Sequence, residues 1–115
     1  MTDSSFTVNI EDMKRVELVE VSGRIDSSNA AQFDDILKEI AKRGKYNVVL
    51  NMAGVEYISS AGLRALVALL RENKKHRGDV RLAQPSERVV EVLSLAGLDS
   101  LFAVYNDSAS AVGSF

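Results

Sequence analysis

Two hydrophobic periods alternate along this chain, and their order constrains the fold more than any other feature. Apolar residues two apart mark half-buried strands, whereas those three and four apart mark helices. Phe6, Val8 and Ile10 alternate with polar residues as an edge strand does, and Glu11 to Lys14 follow as a polar turn. Val16, Leu18, Val19 and Val21 form a second strand in which the alternation slips once. A bulge or burial on both faces would produce that slip, and the sequence does not choose between them. After Gly23, the polar passage Arg24 to Asn29 offers several side-chain oxygens able to cap a helix, and Phe33, Ile36, Leu37 and Ile40 then recur at helical spacing up to Gly44.

Tyr46 to Met52 contains Val48-Val49-Leu50, a near-continuous apolar run that fits a central strand covered on both sides, with polar Asn51 directly after it. A second helix carries Leu63, Leu66, Val67 and Leu70 on one face and gathers Lys74, Lys75 and Arg77 near Gly78 at its end. Val80 and Leu82 alternate as a strand. Pro85-Ser86 opens a third helix with Ser86 as cap, an apolar stripe of Val89, Val92, Leu93 and Ala96, and Gly97 as terminator. Phe102 to Tyr105 give a last short strand or an extended segment, and Asp107 to Val112 a weak terminal helix. The order implies an α/β class fold: a mixed, partly parallel sheet of four to five strands with right-handed crossovers, packed with about four helices. One domain over residues 1–115 is expected, with 107–115 as a weak helix or tail.

Composition removes several classes of function. A formal charge of −2 with both signs interleaved supplies no basic stripe for a nucleic-acid backbone. Zero cysteines exclude thiolate chemistry and one histidine leaves an imidazole-based metal site with too few ligands, so a metal enzyme is not expected, and no cofactor is expected either. The longest apolar stretch, Leu63 to Leu70, is broken by Arg64 and falls short of the about 20 residues a membrane span needs. Met1 to Ser5 carry no charged segment leading into an apolar one. These features together give the expectation of a cytoplasmic protein with no membrane partner.

The sharpest local signal is Tyr57-Ile58-Ser59-Ser60-Ala61-Gly62-Leu63, which puts two hydroxyls where a strand-derived loop enters an amphipathic helix. Helix capping explains a serine there without any further function. A phosphoacceptor explains it as well, because the free N–H groups and dipole of the first turn stabilise an anion. A catalytic serine fits poorly: a nucleophile elbow needs glycine two residues on either side, and Ser60 has Ile58 before it. His76, the one imidazole, lies sixteen residues on, or ~24 Å along a continuous helix. It reads as a solvated residue of the last turn, and Lys74 to Arg77 read as a charged helix end. Asp26 has an ordinary reading as a turn or cap residue. In a partly parallel sheet, however, the loops at Gly23 to Ser28 and Tyr57 to Gly62 share one rim, where binding sites tend to form.

Two segments resemble the STAS domain family, and within it the anti-sigma factor antagonists of bacterial partner-switching systems. Gly23-Arg24-Ile25-Asp26 is similar to the family's Gly-x-Leu/Ile-Asp, and Val49 to Leu63 resembles its strand-loop-helix around a phosphorylated serine. The usual core there reads Asp-Ser-Ser/Thr-Gly-Leu, so matching Gly62-Leu63 makes Ser60 the acceptor and puts Ser59 where aspartate stands, as a second-choice acceptor. The resemblance implies a non-enzymatic switch. Unphosphorylated, it would bind an anti-sigma factor that is itself a serine kinase of the histidine-kinase-like ATPase class; phosphorylated, it would let go, and a serine phosphatase would reset it. Asp26 would contact the partner, with Arg24, Ser27, Ser59, Gly62 and Arg64 as neighbours on the rim. Related domains also act as adaptors in stress-signalling and lipid-transport assemblies, the alternative output, with a serine-nucleophile enzyme a remote third.

Overall fold

The structure is a computed structural model describing residues 6–115. Met1 to Ser5, on which the argument about a leader segment rests, lie outside the described residues. In chain order the elements are β1 Thr7–Asp12, β2 Glu17–Ile25, α1 Ala30–Lys42, β3 Asn47–Ile58, α2 Ser60–Lys75, β4 Asp79–Ala83, α3 Glu87–Leu95, β5 Ala103–Tyr105 and α4 Ser108–Gly113. The expected α/β architecture is present, with five strands and four helices among the described residues.

The strands lie side by side in chain order. β1 is an antiparallel edge on β2, and β2, β3, β4 and β5 run parallel to one another. Each parallel step moves the same way along the sheet, so connections of one hand leave their helices on one face. Residues of α1 (Phe33, Leu37), α2 (Leu66) and α3 (Val89) accordingly join Val19, Leu50 and Leu82 of the sheet in a single core. The opposite face is covered by α4, where Ala111 packs over Val16, Leu18, Val49 and Ala83. Asn51 points to that side: its amide donates to Ser108 Oγ at 2.6 Å and to Gln84 Oε1 at 3.0 Å, which explains a polar residue inside a central strand.

Several boundaries differ from the sequence expectation. The slip in β2 arises from burial on both faces: Leu18 faces α4 and Val19 faces the main core. Bulges do exist, but β3 carries them. Glu20 to Ser22 opposes Asn51 to Gly54, and Gly23 to Arg24 opposes Val55 to Tyr57, so β3 gains one residue at each shift. Its core side chains therefore fall at Val48, Leu50, Met52, Val55 and Ile58. β2 and β3 each run further than the polar residues suggest, to Ile25 and Ile58, which moves Arg24, Ile25 and Tyr57 out of the loops and into strands. Glu11 and Asp12 likewise belong to β1 and not to the turn. The α1 start has no side-chain cap, and Ala96 is exposed at the end of α3.

Candidate functional site

Strand extension replaces most of the two expected rim loops and brings the ends of β2 and β3 into direct contact. Ile25 pairs with Ile58 at the ends of β2 and β3, and the Ser59 N–H donates to the Ile25 carbonyl at 2.8 Å. α2 begins at once, with no intervening loop. Ser59 is its N-cap, with extended backbone (φ −83°, ψ 169°), and its Oγ accepts from the Gly62 N–H at 3.2 Å. Gly62 is buried in that first turn against the strand ends. A Cβ there would come 2.7 Å from Ile25 Cγ2 and 2.9 Å from Ile58 Cγ1, so hydrogen at this position is what lets α2 sit down on the sheet.

Ser60, one residue further on, has a different environment. It is the first residue of α2, its side chain is exposed, and its hydroxyl makes no hydrogen bond among the described residues. The N–H groups of Ser60 and Ala61 precede the first intrahelical bond and also lack partners among those residues. An anion on Ser60 would meet two free donors and the positive end of the helix dipole.

Asp26 begins the short turn between β2 and α1. Its Oδ1 accepts from the Ser28 N–H at 3.0 Å and from the Ser28 hydroxyl at 2.6 Å, while its own N–H donates to Asn29 Oδ1 at 2.9 Å. The Ser28 hydroxyl and N–H, aided by the nearby Arg24 charge, hold the Asp26 carboxyl below its ordinary value of 3.8, so it is an anion at neutral pH. Asn29 Nδ2 ties the turn back to the Arg24 carbonyl at 2.8 Å. The Arg24 guanidinium lies 4.5 Å above the Tyr57 ring, a cation–π contact across β2 and β3. Arg24, Asp26, Ser59, Ser60 and Gly62 thus come together on one rim. Ser27 is exposed in the same turn, and Arg64 is exposed one helical turn beyond Ser60.

The sequence reading did not single out Ser28, Asn29 or Tyr57. The Asp26-x-Ser28 spacing, in which a carboxylate takes an N–H two residues on, was the available signal for the first. Tyr57 meets Arg24 only because of the second β3 bulge, which no local pattern reveals. At the far end of α2, His76 stacks on Tyr46 with ring centroids 3.9 Å apart, a contact absent from the solvated reading. Lys74 pairs with Asp79 at 3.5 Å and Lys75 approaches Glu72 at 3.9 Å. The continuous helix keeps His76 and Ser60 at opposite ends, so no imidazole serves the serine as a base.

Comparison with known proteins bears on the family and the fold. The family model described as the STAS domain matches residues 7–111. BtrV of Bordetella bronchiseptica, which bears the provisional name of anti-sigma factor antagonist, is 32% identical over 95 residues, 83% of this chain and 82% of that protein. The crystal structure of an anti-sigma factor antagonist from Mycobacterium paratuberculosis superposes with a TM-score of 0.85 at 26% identity, covering 96% of this chain and 93% of that one. The Bacillus cell fate determinant SpoIIAA, solved in its phosphorylated form, has the same fold at 17% identity, with a TM-score of 0.75 and coverage of 93% and 97%.

Proposed function

The chain belongs to the STAS domain family, and from that membership we propose that it is an anti-sigma factor antagonist switched by phosphorylation of Ser60. It is a regulator and not an enzyme; its relatives are named as antagonists of anti-sigma factors. In the unphosphorylated state the rim around Ser60 and Asp26 binds an anti-sigma factor that is also a serine kinase of the histidine-kinase-like ATPase class. Kinase chemistry and ATP belong to that partner. A phosphate on Ser60 ends the complex and a serine phosphatase restores it, all in the cytoplasm, where such regulators meet their clients. Among the described residues no helix is long and apolar enough to cross a membrane.

The observation that carries this reading is the division of labour between the two serines. Ser59 is committed to capping, whereas Ser60 is exposed, and among the described residues neither its hydroxyl nor the N–H groups of Ser60 and Ala61 have a hydrogen-bond partner. The first turn of α2 can therefore accept a phosphate without being rebuilt, and the modification changes surface charge by nearly −2 while leaving the fold in place. A charge of that size at a contact surface repels an acidic or apolar counterpart strongly enough to end a complex of modest affinity. Asp26, held anionic in a rigid turn, supplies a fixed negative contact for a basic side chain of the partner. The fold of SpoIIAA, which has been seen in a phosphorylated form, supports the tolerance argument.

Intact-mass analysis after incubation with the kinase and ATP tests the acceptor. One added phosphate is expected on the parent chain and on Ser59→Ala, and none on Ser60→Ala. Binding of the anti-sigma factor should be retained by Ser60→Ala and lost by Ser60→Asp. Phosphate on Ser59, or equal affinity of the two Ser60 variants, would overturn the assignment.

A further inference from the structure

Ser60 also stands at the head of a groove. Along α2, Ser60, Arg64, Ala68 and Arg71 recur at helical spacing and line a cavity of about 430 Å³ whose other wall is Ala96 and Leu98, just past α3. Its floor is apolar. Arg64 and Arg71 are the charged residues lining it, and neither has a carboxylate within ion-pair distance among the described residues. The stripe from Ser60 to Arg71 is ~16 Å long, three turns of helix. Two cations along an apolar trough, without an ion-pair partner among the described residues, give a local positive potential on a chain whose net charge is −2.

We propose that this groove docks an acidic amphipathic helix of the protein partner, with apolar side chains entering between α2 and Leu98 and carboxylates pairing with Arg64 and Arg71. The inference rests on the proposed switch at Ser60 and gives it a mechanism. A phosphate on Ser60 lies four residues before Arg64, the spacing and polarity at which an anion and a cation pair along a helix. It withdraws Arg64 from the partner's carboxylate and places negative charge at the mouth of the trough. Release is then competition for one guanidinium together with repulsion of the acidic occupant. A groove of this size forms one part of an interface, with the Asp26 rim as another part of the same surface.

The test uses the full chain, labelled with 15N, and synthetic helical peptides of three turns carrying leucines on one face and either glutamate or lysine beside them. The glutamate peptide should shift the amides of Leu63 to Arg71 and Leu98 and bind about tenfold more tightly than the lysine peptide. Arg64→Glu with Arg71→Glu should reverse that preference, its fold checked by the same spectra. Phosphoserine installed at position 60 during translation should weaken the glutamate peptide by about tenfold, and less when Arg64 is alanine. Equal binding of both peptides, shifts that map elsewhere, or indifference to phosphoserine would overturn the proposal. So would arginine-dependent binding to phosphatidylserine vesicles without peptide binding, which would make the patch a lipid contact. Neither kinase nor anti-sigma factor is present in this experiment, so its failure leaves the mass-shift result untouched, and a missing mass shift leaves the peptide result readable.

Discussion

Ser59 and Ser60 differ by one residue and by one helical boundary, and that boundary gives each a separate energetic signature. Serine and aspartate are nearly equal as N-caps because either side chain offers an oxygen to the N3 donor. The aspartate of the family pattern stands at Ser59, so the exchange keeps the capping acceptor and drops only the carboxylate charge. Ser59→Ala should therefore lower stability by about 1 kcal/mol in thermal or denaturant unfolding, Ser59→Asp should leave it near the parent value, and Ser60→Ala should change it by less than about 0.5 kcal/mol. Gly62→Ala should be more damaging, by about 1–3 kcal/mol, because its Cβ would press on Ile25 and Ile58, both fully enclosed by the core. In the sequence the two serines were equivalent hydroxyls at a helix entrance. Telling them apart required the residue at which β3 stops, and Tyr57 gave no hint that the strand runs past it.

At the scale of elements, the turn between β2 and α1 is held by Asp26, and its pH dependence follows from the direction of the shift. The carboxyl is lowered in the folded state by Ser28 and by Arg24, so the stabilisation is present above the unfolded value of 3.8 and is lost as pH falls through the folded one. Asp26→Asn should thus be less stable than the parent at neutral pH, and the two should converge in strong acid when unfolding is followed across pH. α1 is anchored at its other end by a pair the sequence did not announce. Glu17 is fully buried at the start of β2, and Arg43 reaches its Oε1 at 3.3 Å from the end of α1. Arg43→Ala should cost at least about 2 kcal/mol in denaturant unfolding, since it leaves a buried carboxylate without a cation. Helices α1, α2 and α3 were legible because their apolar spacing is strong and their stops are glycines or charged turns. β3 was legible only as far as Met52. Beyond it the two bulges change the interval between core residues from two to three, and Val55 and Ile58 lose the pattern that marks a strand.

For the molecule as a whole, the sheet divides the tasks of its two faces. The site and its groove belong to the side of α1, α2 and α3, while the other face depends on α4, a helix of six residues that is too short to persist alone. Its formation comes from docking: Ala111 is fully buried over Val16, Leu18, Val49 and Ala83, Ser108 receives the Asn51 amide, and Ser114 receives Arg81 Nη1 at 2.7 Å. This is why the end of the chain read only as a weak helix or tail: the residues that stabilise it belong to the β2, β3 and β4 region of the sheet, far earlier in the chain. Ala111→Glu should therefore force a carboxylate into an apolar seat and detach α4, lowering stability by several kcal/mol and exposing the apolar face of β2 and β3 to dye binding and self-association, readable by size-exclusion chromatography. The groove beside Ser60 is lined from α2 and the segment after α3, with no contribution from α4. Below its lowered melting temperature the variant should then bind the glutamate peptide as the parent does, and loss of that binding in the folded variant would show that the two faces are coupled through the sheet.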